Sequence, residues 1–354
     1  MKSIRWVLIF NLLVMGTIPA FSSDNLLEFH GGVSLDLERD LGGDELAPSG
    51  YVGPKNGFSI RHATLEVEGE PSQYLEYNLE MGSATCLGRG GQILLMEASL
   101  FFKPCDFLKM GFMKGHILRG FELYQCCKEV ITAEKPRYFK TFAPCHPTGA
   151  VIEADYDFTE TTGITAQLAY LNGVVYGRVD DEYDVNLGVI FRTPVEGLQL
   201  GGYYNKVKED FELDGEPDAG SRGSIGLNFE RFNLHLRGEY YLGKGFYSKY
   251  ENISSEELEM RAFFVETAYK FQIEKEMLKY IQPYCMYQMW DKASNLDGEE
   301  EQKYDYLTLG VTFGLNGTSD ADTKIRVNYE TPLSKPESAQ EEADQLIVRL
   351  QIDI

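Results

Sequence analysis

A period of two governs this chain. In FNLHLRGEYYLG, residues 232–243, Asn233, His235, Arg237 and Glu239 take every second place, and Leu234, Leu236, Gly238 and Tyr240 fill the places between. Successive side chains of a β-strand point to opposite faces, so this stretch presents one polar and one apolar face. The pattern recurs along the chain. Glu76, Asn78 and Glu80 alternate with Leu75, Tyr77, Leu79 and Met81, and Glu153, Asp155 and Asp157 with Ile152, Ala154, Tyr156 and Phe158. It returns in GLQLGGYYN, SRGSIGLNFE, DYLTLGVTFGL, TKIRVNYE and LIVRLQIDI. About sixteen strands are expected, near 26–40, 57–71, 73–84, 93–103, 106–116, 148–158, 162–173, 183–194, 196–207, 221–231, 232–243, 259–273, 277–290, 303–316, 321–332 and 343–354.

The connections carry the next constraint. Tight ones near Ser72, Pro104, Thr161, Pro194, Arg231, Glu274 and Gly317 alternate with longer ones near 41–56, 85–92, 117–147, 174–182, 208–220, 244–258, 291–302 and 333–342. Short turns on one side and long loops on the other are the rhythm of an antiparallel up-and-down barrel in an outer membrane. Strands of about ten residues at about 3.3 Å each, tilted near 40°, cover roughly the 25 Å of the apolar band. A soluble β-sandwich alternates too. The even strand count, the strict alternation of connections, and aromatics near strand ends (Tyr203, Tyr204, Tyr240, Tyr241) favour a transmembrane barrel. On that parity Leu234, Leu236 and Tyr240 face lipid, while His235, Arg237 and Glu239 face a wet lumen.

The first segment fits export. MKSIRWVLIFNLLVMGTIPAFSS sets Lys2 and Arg5 before an apolar run and ends on small residues, the layout of a secretory signal peptide. Residues 1–22 are expected to be removed, and 23–354 to form the barrel. No later stretch approaches the roughly 18 apolar residues of a spanning helix. The formal charge of −22 argues against nucleic acid as a partner, because such binding needs a basic face. Much of that charge sits in acidic loops such as KEDFELDGEPD and DGEEE, read as solvated loops without the ligand spacing of a calcium site.

FSIRHATLEVEGEPSQYLEYNLEM and LLMEASLFFKPCDFLKMGFMKGHILRGFE resemble the amino-terminal half of the phosphate-selective porin family, porins O and P. Arg61, Ala63 and Gly69 match one block of that pattern, and Gly111, Lys114 and Glu122 a second. The resemblance implies a sixteen-stranded homotrimeric barrel in the outer-membrane lipid, with a third long loop, 117–147, folded inward. In that region Lys114, Arg119, Lys128, Lys135, Arg137 and Lys140 outnumber Glu122, Glu129 and Glu134. A basic constriction favours anions, because narrow low-dielectric walls focus the field; ordinary solvated lysines are the plainer reading.

The expected wall is polarised. Glu66, Glu68, Glu76, Glu80, Glu97, Glu153, Asp155 and Asp157 line strands two to six against little more than Lys103. Arg192, Arg222, Arg237, Lys270, Lys324, Arg326 and Arg349 come later, interleaved with Asp184, Glu230, Glu239, Glu266 and Glu330. Phosphate-specific relatives use dense Arg and Lys, so these acidic strands point to a general porin passing small hydrophilic solutes or ions, with anion or phosphate preference as the narrower version. The alternative is a structural or adhesive barrel cross-linked through cysteines.

Of six cysteines, Cys126, Cys127 and Cys145 lie in the inward loop. A bridge from either of the first two to Cys145 would close about 20 residues, worth roughly 3 kcal/mol, and the pairing stays open among 15 connectivities. With no C-x-x-C pair, no metal or cofactor is expected. His30, His62, His116 and His146 read as lumen or loop residues. No enzyme is expected either: GEYYLGK resembles a phosphate loop but continues into Gly245 along a strand, and neither G-x-S-x-G nor H-E-x-x-H occurs. The chain ends LQIDI, with Ile354 where outer-membrane barrels usually carry an aromatic residue.

Overall fold

The computed structural model describes residues 27–40, 56–84, 93–121, 130–138, 142, 146–172, 183–209, 218–244, 259–291, 294, 303–315, 322–334 and 344–353. The segment read as a signal peptide, most of the long loops, and Ile354 lie outside them.

Among the described residues seventeen β-segments form one antiparallel sheet. They are β1 (Glu28–Asp40), β2 (Asn56–Ser72), β3 (Leu75–Ala84), β4 (Leu94–Cys105), β5 (Leu108–Lys114), β6 (Thr148–Asp157), β7 (Gly163–Asn172), β8 (Tyr183–Arg192) and β9 (Leu198–Glu209). There follow β10 (Asp218–Arg231), β11 (Leu234–Lys244), β12 (Glu259–Tyr269), β13 (Phe271–Lys275), β14 (Leu278–Asp291), β15 (Lys303–Leu315), β16 (Asp322–Ser334) and β17 (Gln345–Asp353). Because β12 and β13 both pair with β14, they are one stave broken at Lys270, and the barrel has sixteen staves. Closure comes from β1, which pairs with β2 on one side and with β17 on the other, from Gly32 opposite Asp353 to Asp40 opposite Gln345. Among the described residues every strand therefore has a neighbour on each side, as a sheet in lipid requires.

The alternation sorts side chains as the sequence predicts. On β11, Leu234, Leu236 and Leu242 are exposed, while His235, Arg237 and Glu239 are buried inside. The outer surface carries Phe58, Leu100, Phe112, Ile152, Leu168, Leu187, Ile225 and Leu309, all large and exposed. An apolar outside over a charged inside is the reverse of a soluble sandwich.

Three local features depart from the simple pattern. The hairpin between β10 and β11 is a two-residue turn with positive φ at Phe232 (55°) and Asn233 (62°), so those residues turn instead of opening the strand. A register shift between Ser34 and Leu35 against β2 turns both Arg61 and His62 inward. The expected girdle also needs correction: Tyr204 is exposed, but Tyr203 and Tyr241 are buried and point inside. They pack against Tyr138 and Phe142 of the connection between β5 and β6. The parity of their strands sets this direction, and a girdle reading based on position along the strand overlooks it.

Candidate functional site

The site is the lumen and the segment that crosses it. The β5–β6 connection enters the bore, which confirms for its described residues that the third long loop folds inward. At its start the Leu118 amide donates to Gln167 Oε1 at 2.7 Å, and Asn186 Nδ2 donates to the Leu118 carbonyl at 3.0 Å, fixing it to β7 and β8. The Phe121 amide then donates to the Glu239 carboxylate on β11. Two glycines permit this approach. A Cβ on Gly188 would meet the Leu118 carbonyl at 2.2 Å; Gly120 has φ of +81° and its Cβ would meet Glu239 at 2.7 Å.

The later part reaches the opposite wall. The Arg137 amide donates to Gln288 Oε1 at 2.9 Å, its Nε to Glu330 Oε1 at 2.7 Å, and its guanidinium lies 4.5 Å from the centre of the Tyr306 ring. Arg349 binds both Asp36 oxygens, at 2.7 and 2.6 Å, donates to Glu134 at 2.9 Å, and also reaches the Ala133 carbonyl. Arg61 takes the other Glu134 oxygen at 2.5 Å. Tyr138, Phe142, Tyr203, Tyr241, Met260, Ala262, Phe264 and Met286 form an apolar cluster inside the bore, where the segment meets β9, β11, β12 and β14. Ring centroids in it stand 5.3 Å (Tyr138 to Tyr241) and 5.4 Å (Phe142 to Tyr241) apart.

The expected loop cations fall in different places. Arg119 and Lys135 are buried in the bore, and Arg137 is pinned to Glu330. Lys114 is a correction. It stands opposite Ala98 and Thr148, on the outward parity of Met110 and Phe112, with its ammonium 2.6 Å from the Leu95 carbonyl. The end of β5 shares the parity of the lipid-facing residues before it, so Lys114 is no part of the constriction. Lys128, Lys140, Cys126, Cys127 and Cys145 lie outside the described residues. Cys105 and Cys285 carry free thiols.

The wall residues make contacts that the alternation alone does not show. Lys109, absent from the expected acidic wall, sits 3.7 Å from Glu76 and 3.2 Å from Glu153; Lys103 sits 2.7 Å from Glu70 and 3.6 Å from Glu76. Arg192 binds Asp155 at 2.5 Å and Asp157 at 2.8 Å. Glu66 accepts from Asn78 at 2.5 Å, and Glu80 is buried opposite both Glu66 and Glu97. Across the barrel His235 bridges Glu230 and Glu266, each at 3.0 Å, and Arg237 lies beside Glu266 and donates to Asn228 at 3.1 Å. Arg222 is buried inside β10, Lys324 pairs with Asp322 at 2.6 Å, and Arg326 donates to Gln351 at 2.8 Å.

Below the crossing segment, on the short-turn side, a polar cavity of about 540 Å³ has Val130 and Ile131 at its boundary and Lys270, Lys324, Arg326 and His235 in its wall. Sequence reasoning missed Asp36, Glu38 and Arg61 as lumen groups. The expected wall was drawn from strands two to six and from later strands, which leaves out Asp36 and Glu38 on the first, and Arg61 is turned inward by a bulge that leaves no mark in the alternation.

Comparison with known proteins places the fold. No protein-family model and no curated relative match the chain. Among solved structures it is similar to the outer membrane channel DcaP of Acinetobacter baumannii, with a TM-score of 0.63 at 10% identity over 95% of this chain and 100% of that one. It is similar to an anion-selective porin from Comamonas acidovorans, with a TM-score of 0.60 at 10% identity over 93% and 99%. It is also similar to OmpF of Salmonella typhi, solved with daunomycin, with a TM-score of 0.63 at 14% identity over 93% and 98%. At these identities the likeness is one of fold, shared with general porins. The finer resemblance to porins O and P rests on the motifs alone.

Proposed function

We propose that the chain is an outer-membrane porin through which small hydrophilic solutes and ions diffuse passively, the inward segment setting the size limit. One observation carries this reading: a closed sixteen-stave barrel has aliphatic and aromatic side chains outside, charge inside, and a loop across its bore. Such a surface is at rest only in lipid, and such an interior only in water. Residues 1–22 would direct export, and the barrel would assemble as a homotrimer.

The same reading makes the protein a channel and not an enzyme. For ion preference, support comes from the short-turn cavity, where Lys270, Lys324 and Arg326 face the path of a solute below the loop. An anion-selective porin among the similar structures points the same way. Against phosphate specificity stands the acidic wall of β2 to β6, whose carboxylates are only partly offset by Lys103, Lys109 and Arg192. The fields of the two walls oppose, and the proposed outcome is a modest anion preference without a phosphate site. Reversal potentials in a tenfold KCl gradient test it. Wild type should favour chloride, and Lys270→Glu with Lys324→Glu should move the potential toward the potassium limit. An unchanged potential would remove the vestibule from the account.

A second reading is favoured by the aromatic cluster at Tyr138, Phe142 and Tyr241, which packs like a plug. A barrel closed by it would serve as a structural wall protein. Swelling of liposomes in arabinose separates the two, since a plugged barrel admits no sugar.

A further inference from the structure

The roots of the inward segment hold a group of side chains that the channel reading does not use. His116 follows β5 and His146 precedes β6, so the two imidazoles bracket the segment in sequence. The backbone brings them together: the Gly115 amide donates to the Pro147 carbonyl at 3.1 Å, closing the neck. The two rings stand 4.7 Å apart between centroids. Glu97, on β4, completes the group. Its Oε1 lies 2.5 Å from His116 Nδ1 and 3.8 Å from His146 Nε2. One ligand atom from each of the three falls within 4.8 Å of the others.

We propose that His116, His146 and Glu97 bind one divalent transition-metal ion of the zinc class, which staples the two ends of the inward segment to β4. The donor set fits that chemistry. Two imidazole nitrogens and one carboxylate oxygen are a ligand set of zinc sites that keep a fourth position for water, whereas calcium and magnesium take oxygen donors. The geometry is close to what an ion needs. Ligand bonds of about 2.0 to 2.2 Å in a tetrahedral arrangement separate donor atoms by roughly 3.4 Å. His116 must therefore draw back from Glu97 by about 0.9 Å and His146 approach by about 0.4 Å, movements within the reach of side-chain torsions. Burial fits as well: the side chains of His116 and His146 are 10% and 6% exposed, while Glu97, at 24%, keeps the group open to the lumen. His116 Nε2 is buried with no hydrogen-bond partner among the described residues. A buried ring nitrogen without a partner is unfavourable.

Among the described residues two other groups have comparable spacing. Glu28, His30 and Glu68 offer one imidazole at an exposed rim, and Asp36, Glu38 and Glu134 are carboxylates alone, already met by Arg61 and Arg349. The first group alone combines two imidazoles with a carboxylate. Bound metal would add two positive charges beside the acidic wall, at the hinge of the constriction.

The test uses the full-length protein in detergent, stripped with EDTA and titrated with Co²⁺ and then Zn²⁺. One equivalent of Co²⁺ should give the intense visible absorption of a four- or five-coordinate ion, displaced by Zn²⁺ and untouched by a hundredfold excess of Ca²⁺ or Mg²⁺. His116→Ala, His146→Gln and Glu97→Gln should each weaken binding at least tenfold, and His30→Ala should leave it unchanged. Heat-modifiable gel mobility identifies the folded barrel in each variant. Wild-type protein that gives no such absorption would overturn the proposal, whatever the variants do. So would binding that survives His116→Ala with His146→Gln and is abolished by alkylating the cysteines. Because the readout is metal binding and not current, it stands or falls separately from the channel reading.

Discussion

Arg349 shows how one residue joins wall, closure and loop. It lies on the last strand, pairs with Asp36 on the first, and reaches Glu134 and Ala133 in the inward segment. The Asp36 carboxylate is wholly buried. Truncating the cation leaves that charge without its guanidinium, a change that costs about 3 to 5 kcal/mol when a buried pair loses one member. Arg349→Ala should therefore lower the unfolding free energy, measured by urea titration of the vesicle-reconstituted protein, by that amount. Arg349→Met combined with Asp36→Leu should recover most of it, because neither side chain then needs hydration. A single variant as stable as wild type would show that water hydrates the Asp36 carboxylate once the guanidinium is gone. In the sequence the parity of its strand is the only thing that marks Arg349. Its partners were not legible, since Asp36 and Glu134 lie hundreds of residues away and only barrel closure brings them near.

At the scale of the strand, local physics was enough to read most of the fold. The period of two depends only on neighbouring residues, and the predicted strands match the observed ones to within a few residues. Where the strand 259–273 was expected, the chain makes β12 and β13 with a break at Lys270, and 232–233 became a turn. Bulges were not legible, because inserting one residue into a ladder depends on the partner strand. Nor was the inward direction of Tyr203 and Tyr241, whose aromatic character suits a membrane interface as well as it suits a packed bore. Lys114 failed for the opposite reason: its parity was readable, and the family motif drew it inside. The alternation makes a prediction that a soluble sandwich would not share. Ile225, on β10, is 71% exposed. Near the bilayer midplane, Ile225→Arg should cost about 2 to 4 kcal/mol in a phospholipid bilayer. Equilibrium unfolding from vesicles measures this, and a cost near zero would place that face in water.

The whole molecule poses the question that no strand answers, which is whether the bore is open. Sixteen staves enclose a lumen wide enough for water in proteins of this architecture, and the short-turn cavity shows such space below the crossing segment. At the segment itself, Tyr138 and Phe142 are fully packed with Tyr241 and Phe264. The candidate site was legible in outline, since the longest connection carried the constriction. Its character was not: Arg137 is paired with Glu330, Arg119 and Lys135 are buried in the bore, and the two histidines at its roots are brought together by the end of the β5–β6 ladder and the neck hydrogen bond. Passive diffusion requires that water still pass beside the segment. The most direct test is single-channel recording of the refolded protein in a planar bilayer at 1 M KCl. The account predicts discrete, uniform current steps that appear as barrels insert. Barrels shown by heat-modifiable mobility to be folded and inserted, yet passing no current, would contradict it.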